Sequence, residues 1–143
     1  VIGQGPDGTP YRIMSQLRAE KEIVALGASS LWEGIDLDGT SIKTIIIARL
    51  PFPVPSEPVF EARSEMYDDS FNEYAVPEAV MRFRQGFGRL IRKRSDRGAL
   101  VILDSRVTNK RYGERFIAAL PDCRIERGIV AGLGERVNQW LNW

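Results

Sequence analysis

The stretch Gln85-Gly86-Phe87-Gly88-Arg89-Leu90-Ile91-Arg92 decides how the rest of the chain is read. At 3.6 residues per turn it sets Gln85, Arg89 and Arg92 on one stripe and Val80, Phe83, Phe87 and Leu90 on the opposite face. The pattern predicts a helix with a core side and an arginine side. A polar face alone is an ordinary solvated surface. Gly86 and Gly88 are harder to accommodate, because each costs about 1 kcal/mol relative to alanine inside a helix. They imply that something approaches the backbone beside the arginines. Two arginines three residues apart suit a planar, multiply charged oxyanion such as the phosphates of a nucleotide. That is arginine-finger chemistry, which stabilises negative charge developing in phosphoryl transfer.

Outward from this stretch, apolar runs alternate with helical patterns. Residues 1–8 read as a loop, an apolar pair running into glycines. Thr9-Pro10 reads as an N-cap with proline in the first turn, and Ile13, Met14 and Leu17 give the following helix an apolar stripe to about Lys21. Residues 23–26 and 44–48 read as strands buried on both faces. Between them, Ser29, Ser30, Trp32, Glu33, Gly34 and Asp36 occupy the loop beyond a strand's carboxyl end, where open parallel sheets bind ligands. Its small residues let backbone amides face phosphates, and Asp36 is suited to accept from a ribose hydroxyl. The alternative is an ordinary strand-to-turn connection anchored by Trp32.

Three prolines make residues 49–55 a rigid connection. A helix is predicted over 57–68 with Val59, Phe60 and Met66 in apolar contact, and Asp68-Asp69 reads as solvated. Residues 71–75 lead into the arginine-bearing helix, with Pro77 near its start. Residues 99–103 form the clearest buried strand, with Asp104-Ser105-Arg106 at its carboxyl end. Thr108 or Asn109 is expected to cap a helix over 110–120, residues 124–126 to form a last strand, and 133–141 a helix with Val137 and Trp140 inward. The expected architecture is a three-layer α/β domain with a mainly parallel sheet.

Composition narrows the chemistry. The 143 residues suit one domain over 1–143, with a formal net charge of +1 that rules out a polybasic tail. There is no histidine, so no histidine triad and no His-ligated zinc site, and the sole Cys123 excludes an intrachain disulfide. Cys123 is expected to be a half-buried small hydrophobe. No apolar run reaches the roughly 18 residues of a membrane span, and the first ten residues do not resemble a signal peptide.

Gln85-x-x-Gly88-Arg89-x-x-Arg92 followed by Asp96-x-Gly98 resembles motif VI of superfamily 2 helicases of the DinG/XPD branch. Trp32-Glu33-Gly34-Ile35-Asp36-Leu37-x-Gly39 resembles motif V of that branch. Leu50-Pro51-Phe52-x-x-Pro55, Pro77-x-Ala79, Leu103-Asp104-x-Arg106 and Tyr112-Gly113 extend the resemblance in family order. It is strongest to bacterial DinG-like helicases and implies a RecA-like second motor domain. In its terms Gln85, Arg89 and Arg92 act on the γ-phosphate, and Gly34, Asp36 and Gly88 are nucleotide-side residues. Glu33 helps hold the loop, and Ser29 and Ser30 contact a nucleic-acid phosphate. Arg106 either pairs with Asp104 to fix its loop or reaches a DNA phosphate. Gln4-Gly5 resembles the segment after motif IV; the strand before it is read as missing, which suggests a domain cut from a longer protein.

The phosphate-binding loop with its lysine, and the acidic motif that ends in histidine in this branch, do not occur here. ATP and Mg²⁺ are therefore expected to be held mainly by a first lobe elsewhere, so the chain alone should not hydrolyse ATP. Relatives carry an iron–sulfur cluster on four cysteines; this chain offers one. The partners implied are single-stranded DNA, travelled 5′ to 3′, and the N-terminal helicase lobe, with no membrane, in the bacterial cytoplasm at the nucleoid. Two rivals compete with this reading. One is a nucleic-acid-binding or interaction module that kept the fold without the motor. The other is a structural salt-bridge face on an unrelated nucleotide-fold protein.

Overall fold

A computed structural model describes residues 1–20, 22–28, 31, 42–88, 90–91 and 96–142. The chain forms two units, Val1–Ile42 and Lys43–Trp143. In the first, strand β1 (Ile2–Gly3) pairs in parallel with β2 (Ala25–Leu26) around helix α1 (Pro10–Ala19). A short strand therefore stands where residues 1–8 read as loop and where a strand was read as missing. Its ladder bonds come from the N–H groups of Ile2 and Gln4, to Val24 and Leu26, too short a stretch to show alternation. Gly5 and Gly8 bridge each other at φ +98 and +132, backbone that L side chains rarely adopt.

Thr9 is the N-cap of α1 through its extended backbone, without a side-chain hydrogen bond, and Pro10 opens the helix. The helix buries Ile13 and Met14, and Leu17, Leu31 and Ile42 pack on Met14. Strand β2 differs from expectation: Val24 and Leu26 are more than half exposed. The apolar run has one uncovered side within this unit, so burial on both faces does not hold.

In the second unit, β3 (Thr44–Ile47) pairs in parallel with β4 (Ala99–Ile102), Thr44 opposite Ala99 and Ile47 opposite Ile102. Ile47 and Val101 are buried, whereas Ile46 is 60% exposed, so β3 too has one open side. The proline-rich connection is irregular, as expected, with Leu50 buried. Helix α2 (Pro58–Ser64) is shorter than predicted and buries no residue. Val59 and Met66 are exposed, and of the three apolar contacts expected only Phe60 packs, stacked on Tyr74 at 5.0 Å. Asp69 accepts from the backbone and side-chain nitrogens of Asn72, which bears out its reading as a solvated terminus. Those bonds, the Asn72 side chain first, hold its carboxyl below the usual value.

A π-helical turn, Phe71–Ala75, runs directly into α3 (Val76–Phe87). Val76, Ala79 and Phe83 form its buried face. The core is aromatic: Phe83 meets Phe87 and Phe116 edge-on at 5.8 and 5.5 Å, and Phe52 lies 5.9 Å from Phe116. Beyond β4, the helix expected over 110–120 shortens to α5 (Gly113–Ala118), capped by Tyr112, while Thr108 and Asn109, expected as its caps, lie inside a separate helical turn, α4 (Arg106–Asn109). The Val107 carbonyl lies 2.2 Å from where a Cβ on Gly113 would stand, so the two helices meet backbone to backbone. Residues 124–126 form no strand. They are exposed and joined by an Arg124–Glu126 ion pair, with no neighbouring strand edge among the described residues to supply ladder bonds. Cys123 is exposed rather than half-buried. Helix α6 (Leu133–Leu141) forms as predicted; Trp140 is 44% exposed, yet its indole N–H donates to the Gly98 carbonyl at 3.1 Å. No described helix is long and apolar enough to cross a membrane.

Candidate functional site

The arginine-bearing stretch begins inside α3 and ends beyond it. Gln85 is exposed in the last turn, on the side opposite Phe83, as its spacing predicts. Gly86 is helical and buried, consistent with close packing at the backbone. The helix stops sooner than its apolar stripe: Gly88 is the C-cap, its N–H donating to the Arg84 carbonyl at 3.0 Å. Gly88 is therefore a terminating residue and not an interior one, because periodicity does not register helix ends and glycine does. The next described residue, Leu90, donates its N–H to the Phe87 carbonyl at 2.8 Å and is buried. Leu90 lies against Gly98, where its Cγ stands 2.5 Å from a hypothetical Cβ. Position 89 thus has a bonded neighbour on each side. Arg89 and Arg92 themselves lie outside the described residues.

The motif V candidates Ser29, Ser30, Glu33, Gly34 and Asp36 also lie outside the described residues. The entry to their loop is described. Gln4 donates its N–H to the Leu26 carbonyl at 2.8 Å, and its Oε1 accepts the Ala28 N–H at 3.1 Å. Gln4 thereby ties the end of β2 to the turn after β1. A Cβ on Gly27 would fall 1.6 Å from Leu31 Cδ1, so glycine there lets Leu31 cover the backbone. An open cleft of about 870 Å³ borders this junction, lined by Gly3, Gln4, Gly8, Thr9, Leu26 and Ala28. The clamp by Gln4 was not anticipated, although the Gln4-Gly5 pair was the available signal.

At the carboxyl end of β4, Arg106 pairs with Asp104, the first of the two roles read for it. Its Nε lies 2.9 and 3.0 Å from the two oxygens of Asp104, Nη2 is 2.6 Å from Oδ2, and the Arg106 N–H donates to Oδ1 at 3.0 Å. The guanidinium carbon also lies 5.4 Å from the Phe52 ring centroid. Asp104 is buried and accepts the Leu50 N–H at 2.8 Å. The Arg106 hydrogen bonds hold its carboxyl well below the usual carboxylate range, against burial and aided by the Leu50 N–H, and Asp104 raises Arg106 in return. Leu50 and Phe52 were read as parts of a rigid connection and of the family resemblance; their contacts with Asp104 and Arg106, about fifty positions away, carry no local signal.

Among the described residues, no group of three or more histidine, cysteine, aspartate or glutamate side chains is arranged to hold a metal. The family described as the helicase C-terminal domain matches residues 1–123. The chain is 38% identical over 126 residues to the 3′-5′ exonuclease DinG of Bacillus subtilis, covering 85% of this chain and 14% of that protein. It is 41% identical over 122 residues to the ATP-dependent DNA helicase YoaA of Haemophilus influenzae, and 38% over 122 residues to YoaA of Escherichia coli, covering in each case 82% of this chain and 19% of the relative. The chain thus spans less than a fifth of the length of these relatives.

Proposed function

Because this chain belongs to the helicase C-terminal domain family, and so to a RecA-like fold, we propose that it is the second motor lobe of an ATP-dependent DNA helicase. Residues 1–143 then act as one domain, whose strands continue into a three-layer, mainly parallel arrangement. The lobe closes on an N-terminal lobe that holds ATP and Mg²⁺. Arg89 and Arg92 reach the γ-phosphate as it is transferred, with Gln85 beside them; Gly34, Asp36, Glu33 and Gly88 shape the nucleotide side. Ser29 and Ser30 meet the phosphates of single-stranded DNA. Opening and closing of the cleft is converted into steps in the 5′ to 3′ direction, in a bacterial cytoplasmic, nucleoid-associated protein.

The observation that carries this reading is the end of α3 at Gly88, within the family match. A helix with an aromatic core side ends at Gly88, the next described residue is buried and bonded back to that helix, and the stretch falls inside the family match. Transition-state stabilisation requires charge held in place before the reaction, and a helix end packed on an aromatic core is a support of that kind. For Arg106, the bonds to Asp104 favour the loop-fixing role over the phosphate contact.

The test is DNA-stimulated ATP turnover by the whole protein. Arg89→Ala and Arg92→Ala are each expected to lower turnover about 10³-fold or more while leaving the thermal transition in place. A whole protein that folds and binds DNA but never turns over ATP would instead make this lobe a binding module.

A further inference from the structure

We infer that Arg115 is a positioning residue for α3: it anchors the π-helical turn at the start of that helix and so fixes how the helix presents Gln85 near its end. The inference rests on the motor reading above, in which Gln85 acts beside the γ-phosphate.

The turn has a cause in the sequence. A proline inside a helix clashes with the carbonyl four residues before it, and for Pro77 that carbonyl belongs to Glu73, within the turn. The wider turn also changes which side chain precedes the buried face of α3. An α-helix would set Asn72 one turn before Val76; the Val76 N–H donates instead to the Phe71 carbonyl, one residue further back. Phe71 thereby reaches the aromatic cluster, stacked on Phe52 at 5.8 Å and 10° and edge-on to Tyr112 at 5.3 Å.

The same change leaves a carbonyl without a helical donor. Asn72 would accept from Val76 in an α-helix and from Pro77 in a π-helix; the first N–H is engaged by Phe71, and proline has none. Arg115 Nη1 donates to that carbonyl at 2.9 Å. Water would satisfy an exposed carbonyl but ties it to nothing, whereas Arg115 joins it to α5. The next residue of α5, Phe116, is buried edge-on against Phe83 of α3 at 5.5 Å. Consecutive residues of α5 thus grip this segment at its origin and two positions before Gln85. With the first grip lost, each residue of slippage between π and α turns rotates α3 by about 100° relative to Phe71. A misplacement of about 1 Å at the chemistry can cost about 100-fold in rate.

The experiment compares Arg115→Leu and Arg115→Lys with the parent in the whole protein, reading DNA-stimulated ATP turnover and amide hydrogen exchange over residues 70–88. Arg115 is exposed, so its replacement opens no cavity. Arg115→Leu is expected to speed exchange in the π turn and the first turn of α3, with the other helices unchanged. It is also expected to lower kcat about tenfold with KM for ATP unchanged, because placement is disturbed and binding is not. Arg115→Lys keeps a donor for the carbonyl and is expected to restore both. Unchanged exchange overturns the inference, as does faster exchange with unchanged turnover, which would make Arg115 a structural tie alone. Lost turnover with faster exchange throughout the chain, unrestored by lysine, overturns it as well. Arg89→Ala is the control. Turnover indifferent to Arg89→Ala removes the motor reading and this inference together, whereas turnover sensitive to Arg89→Ala and indifferent to Arg115→Leu removes this inference alone.

Discussion

Asp104 and Leu50 stand 54 residues apart in sequence and share a 2.8 Å hydrogen bond, side-chain carboxylate to backbone N–H. The carboxylate serves two masters, since the Arg106 guanidinium holds it from the other side. The ends of the paired strands β3 and β4 are thereby tied at one buried group. Asp104→Ala is expected to lower the stability of the chain by about 2–4 kcal/mol, because it strands a buried N–H and releases Arg106 together. The urea midpoint measures it; a shift no larger than that of an exposed-site control would show that the bonds contribute nothing.

The same pair makes a pH prediction. With its carboxyl held below the ordinary value of 3.8, the native state takes up the proton later than the unfolded chain. The stabilisation is complete above that value and is lost as pH falls through the lowered native one. Denaturation profiles between about pH 7 and about pH 2 are expected to be flatter in acid for Asp104→Asn than for the parent chain. Identical slopes would dissociate Asp104 from acid unfolding.

Arg106→Lys tests the role of the fork. Lysine keeps the charge but not the planar set of donors that meets both carboxylate oxygens. Thermal stability is expected to fall by a few degrees while the salt slope of single-stranded DNA binding by the whole protein stays unchanged. A slope reduced by about one unit would assign Arg106 to a DNA phosphate instead.

Phe116 is fully buried with its ring edge-on to Phe83. Phe116→Ala is expected to cost about 3–5 kcal/mol, read from chemical denaturation. Gly113→Ala adds a single methyl, yet it meets the Val107 backbone carbonyl, and a loss of about 1–3 kcal/mol is expected. An unchanged midpoint for the alanine at 113 would mean that α4 and α5 separate at little cost.

Asp36→Ala in the whole protein tests the proposed motor from its other motif. Weaker stimulation of ATP turnover by DNA is the expected outcome, and unaltered stimulated turnover would remove the motif V assignment.

What could be read in advance depended on whether the signal was local. The buried face of α3 was legible in part from spacing: Phe83 and Leu90 are buried as read, whereas Val80 and Phe87 are half-buried and Val76 and Ala79 complete the face. Thr9-Pro10 marked the start of α1 for the same reason. Strand positions near 44–47 and 99–102 were legible from apolar runs, but their exposure was not: such a run records what could be covered, and Ile46 shows that the second cover is absent within its unit. The helical turn α4 escaped because its residues were read as the caps of the helix that follows. The link from Asp104 to Leu50 escaped because nothing near either residue encodes the other. At the site, Gln85 and Gly88 were placed on the right segment, with the helix end misjudged by one turn, and the Gln4 clamp was legible only as a Gln-Gly pair.

One consequence follows from the bond between the Trp140 indole and the Gly98 carbonyl. Helix α6 lies beyond residue 123, where the family match stops, yet it holds the glycine against which Leu90 packs, and Leu90 adjoins Arg89. A chain cut at the edge of the shared span would leave that carbonyl without its donor and loosen the seat of Leu90. The cooperative unit therefore runs through Leu141, and exchanging the extension between relatives becomes a means of tuning how firmly Leu90 is seated without touching a shared motif.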